Sequence, residues 1–321
     1  MLLSSCVVWR YRTFESFREE CPGGDEALQR VVFEQLDGAL AWLESLGAPI
    51  VERGTGNPRT VGIRFEPRGL TDALVEAARG IRLGTPLVAD DRPLVLATGG
   101  FQGDRGLVAS YIRPAGRLRL RANRWSTGDG LRAALAHGAR LSKGLSEFYG
   151  RNMPDADFGE RDFVPLAQLY GRHARAFNER GEEFFAGPVS WSENDLVQAT
   201  ARQPGAVAWY VLDEAALAER VRDRTVAEMV DAAPTRADPE ALPFPAPPGA
   251  VAAVRVRPGI THTIGGIAID TRARALDRGG KPIEGLLAAG ADVGGISTGG
   301  YASGLAAALV FGRIAAETAL S

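Results

Sequence analysis

Two glycine-punctuated segments carry residue types that can hold a ligand and act on it. The first is LVLATGGF, Leu94 to Phe101. Its apolar run reads as a strand that ends on Thr98, Gly99 and Gly100, where missing side chains let backbone approach a ligand closely. Taken alone, this is equally an ordinary strand-to-loop turn. The second segment is ITHTIGGIAID followed by GKPIEGLLAAGADVGGISTGGYASGLAAALVFGRIAAETA, ending at Ala319. A strand over Gly285 to Ala289 stops at Gly290, and Asp292 follows with a carboxylate able to accept hydrogen bonds from a polyol. The glycine-rich stretch Gly294 to Gly304 then leads into a helix over Gly304 to Leu320. Backbone N–H groups around Ser303, Gly304 and Leu305, with the positive end of the helix dipole, suit an electron-rich group there.

Three further side chains have chemistry to offer. His262 lies between a strand and a Gly-Gly turn, and an imidazole can bind or exchange protons near neutral pH. The alternative is a core histidine bonded to backbone, the reading preferred for His137 and His173. Tyr301 brings a phenol into the glycine-rich loop, able to donate to a carbonyl or carry a proton. Arg151, near Tyr149 and Tyr170, can bind an anion; each of these three is equally a structural residue.

The order THTIGG, PIEGLLAAGADVGG, glycine-rich loop and ALVFGRIAA resembles the C-terminal signature of the flavoproteins that include fumarate reductase, the succinate dehydrogenase flavoprotein, 3-ketosteroid dehydrogenase and tricarballylate dehydrogenase. ATGGF, the STGDG of Ser126 to Gly130, and Phe177 to Phe184 stand in the same family order. The resemblance implies FAD as cofactor, contacted at Thr98, Gly99, Gly100, Gly290, Asp292, Ser303, Gly304 and Leu305. It also implies hydride transfer between flavin N5 and a CH–CH or C=C substrate, with His262, Tyr301 and Arg151 as catalytic candidates. It names neither the substrate nor the electron donor or acceptor. Tyr301 stands where fumarate reductases place a substrate-clamping arginine, which resembles the ketosteroid and tricarballylate branches instead. The cap arginine that donates a proton in fumarate reductases has no counterpart, since Phe185 to Thr200 contains no arginine.

The elements that must position these residues read as an α/β fold. It is a partial Rossmann-like FAD-binding domain, a parallel sheet with helices, over 1–148 and 250–321, interrupted by an α+β cap over 149–249. The cap ends in a Pro-rich linker or ordered loop, 234–249. Apolar spacing predicts a helix from Asp25 to Leu46 and another from Leu70 to Arg79. Strands are expected over Leu94 to Ala97, at the buried centre of a parallel sheet, and over Val251 to Val256 and Ile267 to Ile269. The G-x-G-x-x-G unit that opens the family is absent, and Gly54 to Arg59 does not supply it. The sequence therefore reads as N-terminally truncated and is expected to hold FAD weakly. The alternative function is a non-catalytic remnant that binds a small molecule or a partner without stable FAD.

A formal net charge of −2 without a clustered basic face speaks against a nucleic-acid partner. No apolar run reaches the length of a membrane helix. Cys6 and Cys21 form neither a disulfide framework nor a metal pattern, and no signal peptide is legible, so a cytoplasmic location is expected.

Overall fold

The computed structural model describes residues 2–85, 93–112 and 117–321. The chain divides into two compact units. One comprises Met1–Asp104, Trp125–Glu147 and Thr263–Ser321; the other comprises Arg105–Arg124 and Phe148–His262.

In the first unit, the helix Glu26–Ser45 buries Leu28, Val32, Leu36, Leu40 and Leu43, the stripe its apolar spacing predicts. Each such side chain contributes about 1.5–3 kcal/mol when removed from water. Asp25 caps its start by accepting from the Leu28 N–H, and the helix packs on the C-terminal helix Gly304–Leu320. A second helix, Pro67–Ala77, begins earlier than its apolar spacing suggests. Pro67 stands at its first position, and the Glu66 carboxylate accepts from the amides of Arg68 and Gly69.

Two three-stranded sheets complete this unit. In one, Thr60–Phe65 lies between Val7–Tyr11 and Ile50–Arg53, antiparallel to both. In the other, Pro282–Ala288 lies between Arg274–Leu276, antiparallel, and Leu94–Leu96, parallel. Leu94–Leu96 thus occupies an end of the strand order rather than the centre, and only Leu96 is buried. Its apolar run is required by packing on the C-terminal helix, not by burial on both faces. Ile267 to Ile269 forms isolated bridges instead of a strand. Ile267 pairs with Leu141 and Val293 while Ile269 pairs with Ala275, so no single neighbour runs alongside.

The second unit is built on one long strand, Ala252–Thr263, whose last residue belongs to the first unit. It extends well beyond the predicted Val256 because it changes partners. Ala252 to Val256 pairs with Ala208–Leu212, and Gly259 and Ile260 pair with Arg119–Leu120. Pro258, which has no N–H to donate, falls between those two registers. Phe148–Pro154, Arg175–Phe177 and Arg236–Ala237 complete a six-stranded sheet. Tyr170, Leu196, Tyr210, Val226, Met229 and Val254 are among its buried core. The Pro-rich stretch is ordered on this sheet: Arg236–Ala237 pairs with the long strand, and Phe244 packs on Phe177 with ring centroids 5.5 Å apart.

Two glycines bring strands of this sheet together. A Cβ on Gly150 would lie 2.2 Å from the Gly259 carbonyl oxygen, closer than any real contact. Gly150→Ala is therefore expected to cost about 1–3 kcal/mol by urea denaturation. Gly187→Ala, where a Cβ meets nothing within 4 Å, serves as the near-neutral control. Equal stabilities for the two variants would contradict this packing.

Candidate functional site

In the first unit, three loops meet on one carboxylate. Asp292 is 1% exposed, and its Oδ1 accepts from the Thr98 hydroxyl at 3.0 Å and the Gly100 N–H at 2.9 Å. Its Oδ2 accepts a short bond from the Thr98 N–H. The Thr98 hydroxyl in turn accepts from the Gly130 N–H at 2.9 Å, at the start of the helix Asp129–Ala136. A Cβ on Gly130 would sit 2.7 Å from Asp292 Oδ2, so only glycine allows this approach. Asp292 thus holds the Thr98–Gly100 turn. Gly290 follows the strand Pro282–Ala288 with φ of +68° and open space where a Cβ would point.

Ser303 caps the C-terminal helix, its hydroxyl accepting from the Ala306 N–H at 3.3 Å. The first turn of that helix, which includes Gly304 and Leu305, carries no acidic residue, so nothing there opposes an electron-rich group. Tyr301 is 9% exposed, and its phenolic oxygen accepts from the Gly304 N–H at 3.3 Å. Its ring meets Trp9 edge-on at 6.1 Å, and its carbonyl accepts from the Tyr11 hydroxyl at 3.0 Å. The open space beside Gly290 and the acid-free first turn of the Gly304–Leu320 helix are compatible with the polar edges of a flavin.

In the second unit, the structure brings three of the sequence candidates into a row. The Arg151 guanidinium lies 5.4 Å from the Tyr149 ring centre, and the Tyr149 ring lies 5.3 Å from that of His262. Arg151 and Tyr149 come from Phe148–Pro154 and His262 from the long strand, which pair in the sheet. All three are partly exposed. Tyr170 does not join them: it is fully buried in the core, where its hydroxyl donates to Gln168.

Beside the row lies a carboxylate not singled out as a site residue by sequence reasoning. Glu193 is 2% exposed and precedes the helix Asn194–Ala201 with φ of +54°, a strained value for a residue with a side chain. Its Oε1 lies 3.8 Å from Arg172 Nε. Arg172 also donates to the Trp191 carbonyl at 3.0 Å and covers the Trp191 ring at 4.3 Å, while Arg151 donates to the Ser192 carbonyl. Burial pushes the Glu193 carboxyl up to about 7, against the opposing pull of Arg151 and Arg172. The stretch Phe185 to Thr200 lacks an arginine, but Arg172 from outside it reaches this carboxyl and Arg151 docks on the neighbouring Ser192 carbonyl. Among the described residues, no group of His, Cys, Asp or Glu is placed to hold a metal ion, and no helix is long and apolar enough to cross a membrane.

This α/β architecture, with mixed sheets around a glycine turn and a helix start, is that of the FAD-binding flavoproteins. The FAD binding domain family matches residues 73–304, and the chain belongs to it. A probable fumarate reductase from Shewanella frigidimarina is 28% identical over an alignment covering 92% of this chain and 61% of the relative, so the chain spans less than two thirds of that protein. Two solved structures share the fold. The open conformation of a flavocytochrome c3 fumarate reductase superposes with a TM-score of 0.66 at 24% identity, covering 96% of this chain and 67% of that one. A 3-ketosteroid-delta4-(5alpha)-dehydrogenase from Rhodococcus jostii gives 0.69 at 21% identity, covering 100% and 89%.

The raised Glu193 carboxyl has a consequence for stability. The folded protein keeps this proton up to about pH 7, whereas the unfolded chain releases it near its ordinary value of 4.5. The contribution is thus fully present below pH 4.5 and is lost as pH rises to about 7. Glu193→Gln should remove that loss and stabilise the protein above pH 7 by up to about 3 kcal/mol. Chemical denaturation at pH 5 and pH 8 checks this, and an unchanged pH dependence in the variant would refute it.

Proposed function

We propose that this chain is an FAD-dependent oxidoreductase acting on a CH–CH or C=C bond, closest in chemistry to the tricarballylate-type branch. One observation carries the reading: the family match over 73–304 takes in Thr98–Gly100, Arg151, His262, Asp292 and Tyr301 in a single stretch. FAD, when bound, supplies the acceptor or donor for the hydride.

The chain's own residues supply position and charge. The Thr98, Gly99 and Gly100 turn, locked by Asp292, offers backbone at close range. Gly290, Ser303, Gly304 and Leu305 offer the strand end and the helix start to the flavin. Arg151 binds a substrate carboxylate, with Tyr149 and His262 lining the same row. A guanidinium stacked on an aromatic ring keeps its N–H groups in a fixed plane, which suits a carboxylate. His262 orients that carboxylate. Tyr301, whose hydroxyl is buffered by the helix start, donates to the substrate or carries its proton. Tyrosine in place of a clamping arginine and the carboxyl at Glu193 both support a branch other than the dicarboxylate reductases.

A second reading is a fold that binds a small molecule without turning it over. It is favoured by the existing contact of the Tyr301 hydroxyl with Gly304. Both readings meet one experiment. The protein is incubated with FAD, freed of excess, reduced anaerobically, and mixed with fumarate, an unsaturated tricarboxylate or 4-androstene-3,17-dione while flavin absorbance is followed. The proposal expects one of them, and best the tricarboxylate, to restore the oxidised spectrum. His262→Ala and Tyr301→Phe should slow this about tenfold or more with flavin content unchanged, about 1.4 kcal/mol per tenfold. Full rates in either variant would remove that residue from the site. No reoxidation by any acceptor would favour the binding-only reading.

A further inference from the structure

Three carboxylate side chains are buried among the described residues: Asp155 is paired with Arg255 and Arg257, while Asp292 and Glu193 differ in kind. Asp292 is satisfied on both oxygens. Glu193 Oε1 has no hydrogen-bond partner among the described residues, although two guanidinium groups stand nearby. The chain from Trp191 to Glu193 binds both of them, Arg172 through the Trp191 carbonyl and Arg151 through that of Ser192. The positive φ of Glu193 turns its side chain inward at the point where the helix Asn194–Ala201 begins.

We propose that the site takes up a carboxylate-bearing substrate together with one proton, and that Glu193 is the residue that receives the proton. The inference rests on the reading of Arg151 as the substrate anion's partner. It adds a residue and a proton balance to that reading. A substrate carboxylate at Arg151 places a second negative charge against the same buried cluster. Two like charges in a site shielded from water disfavour each other, and the buried one is released from its charge by protonation. The proton comes from solvent and stays on Glu193, and no other bond forms or breaks.

The charged and titratable groups facing Glu193 leave it as the group that responds. Arg151 and Arg172 stay cationic throughout. Tyr170 and Tyr210 are held well above their ordinary value by burial and stay neutral. Asp195 is engaged by the Ser190 N–H at 2.8 Å and the Ser190 hydroxyl at 2.7 Å. His173, next to Arg172 in sequence, is pushed below its ordinary value chiefly by burial, and His262, in contact with the Tyr149 ring, is a further rival source of a pH effect. With its carboxyl already poised near neutrality, Glu193 needs little push to take the proton. It acts on the substrate through Arg151 and is therefore a positioning residue.

The test uses the flavin-loaded protein and malonate, a dicarboxylate with no CH–CH bond to oxidise. Binding is measured by calorimetry between pH 6 and pH 9 in imidazole and in Tris, whose ionisation enthalpies differ. The expected result is uptake of about one proton per malonate at pH 8, fading to about none at pH 6. The affinity should fall about tenfold per pH unit above pH 7. Glu193→Gln should abolish the uptake and flatten the affinity across this range, while His262→Gln should keep the uptake. The wild-type and His262→Gln measurements decide the matter even if Glu193→Gln does not fold. Binding without proton uptake, or uptake lost in a His262→Gln protein that still binds malonate, overturns this proposal alone. Absence of malonate binding at pH 6 overturns both it and the reading of Arg151 on which it rests.

Discussion

The first unit depends on a buried negative charge. Removing a carboxylate from water costs several kcal/mol, and the cost is met only when its lone pairs are taken up by well-placed donors. Asp292 meets that condition with two backbone N–H groups and one hydroxyl, all from Thr98 to Gly100. Hydrogen bonds to an ionised acceptor contribute about 1.5–3 kcal/mol each. The arrangement ties residues 194 positions apart in sequence. It also explains the glycines around it. Gly130 must lack a side chain to let the Asp129–Ala136 helix start reach Thr98, and Gly100 has φ of +83° so that its N–H can turn toward the carboxylate. The glycine turn is rigid here because the carboxylate beneath it would otherwise be left without donors.

The second unit handles its buried carboxyl in the opposite way. Glu193 has strained backbone, one oxygen without a hydrogen bond and two nearby cations that do not fully offset its burial. A site that must exchange a proton needs a group whose two charge states are close in energy, and incomplete satisfaction produces that. Asp292 is built to hold shape, whereas Glu193 is built to change. The row of Arg151, Tyr149 and His262 sits beside the group that changes.

Legibility in the sequence follows the range of the interactions involved. Helices set by local caps and apolar spacing read well: Glu26–Ser45 begins after Asp25 and Gly304–Leu320 after Ser303, where side chains meet amides three residues on. Thr98, Gly99, Gly100 and Asp292 were legible as one neighbourhood, but the direction of the Asp292 carboxylate was not, because its donors are remote in sequence. Leu94–Leu96 was expected at a sheet centre since apolar runs do not distinguish a neighbouring helix from a second strand. The extension of the long strand past Pro258 depends on a change of partner that only the three-dimensional fold defines. Glu193 was visible as a residue type, but its importance comes from a positive φ and from Arg151 and Arg172, none of which the local sequence announces.

The central claim, that the Asp292 carboxylate locks the Thr98–Gly100 turn, is tested most directly by amide hydrogen exchange at Thr98 and Gly100. Both N–H groups donate to Asp292 rather than to strand neighbours. They should exchange as slowly as the Pro282–Ala288 strand in the intact protein. In Asp292→Asn, which keeps the shape and removes the charge, their exchange should be faster by about tenfold or more while that strand is less affected. Fast exchange at Thr98 and Gly100 in the intact protein, or unchanged rates in Asp292→Asn, would contradict the account.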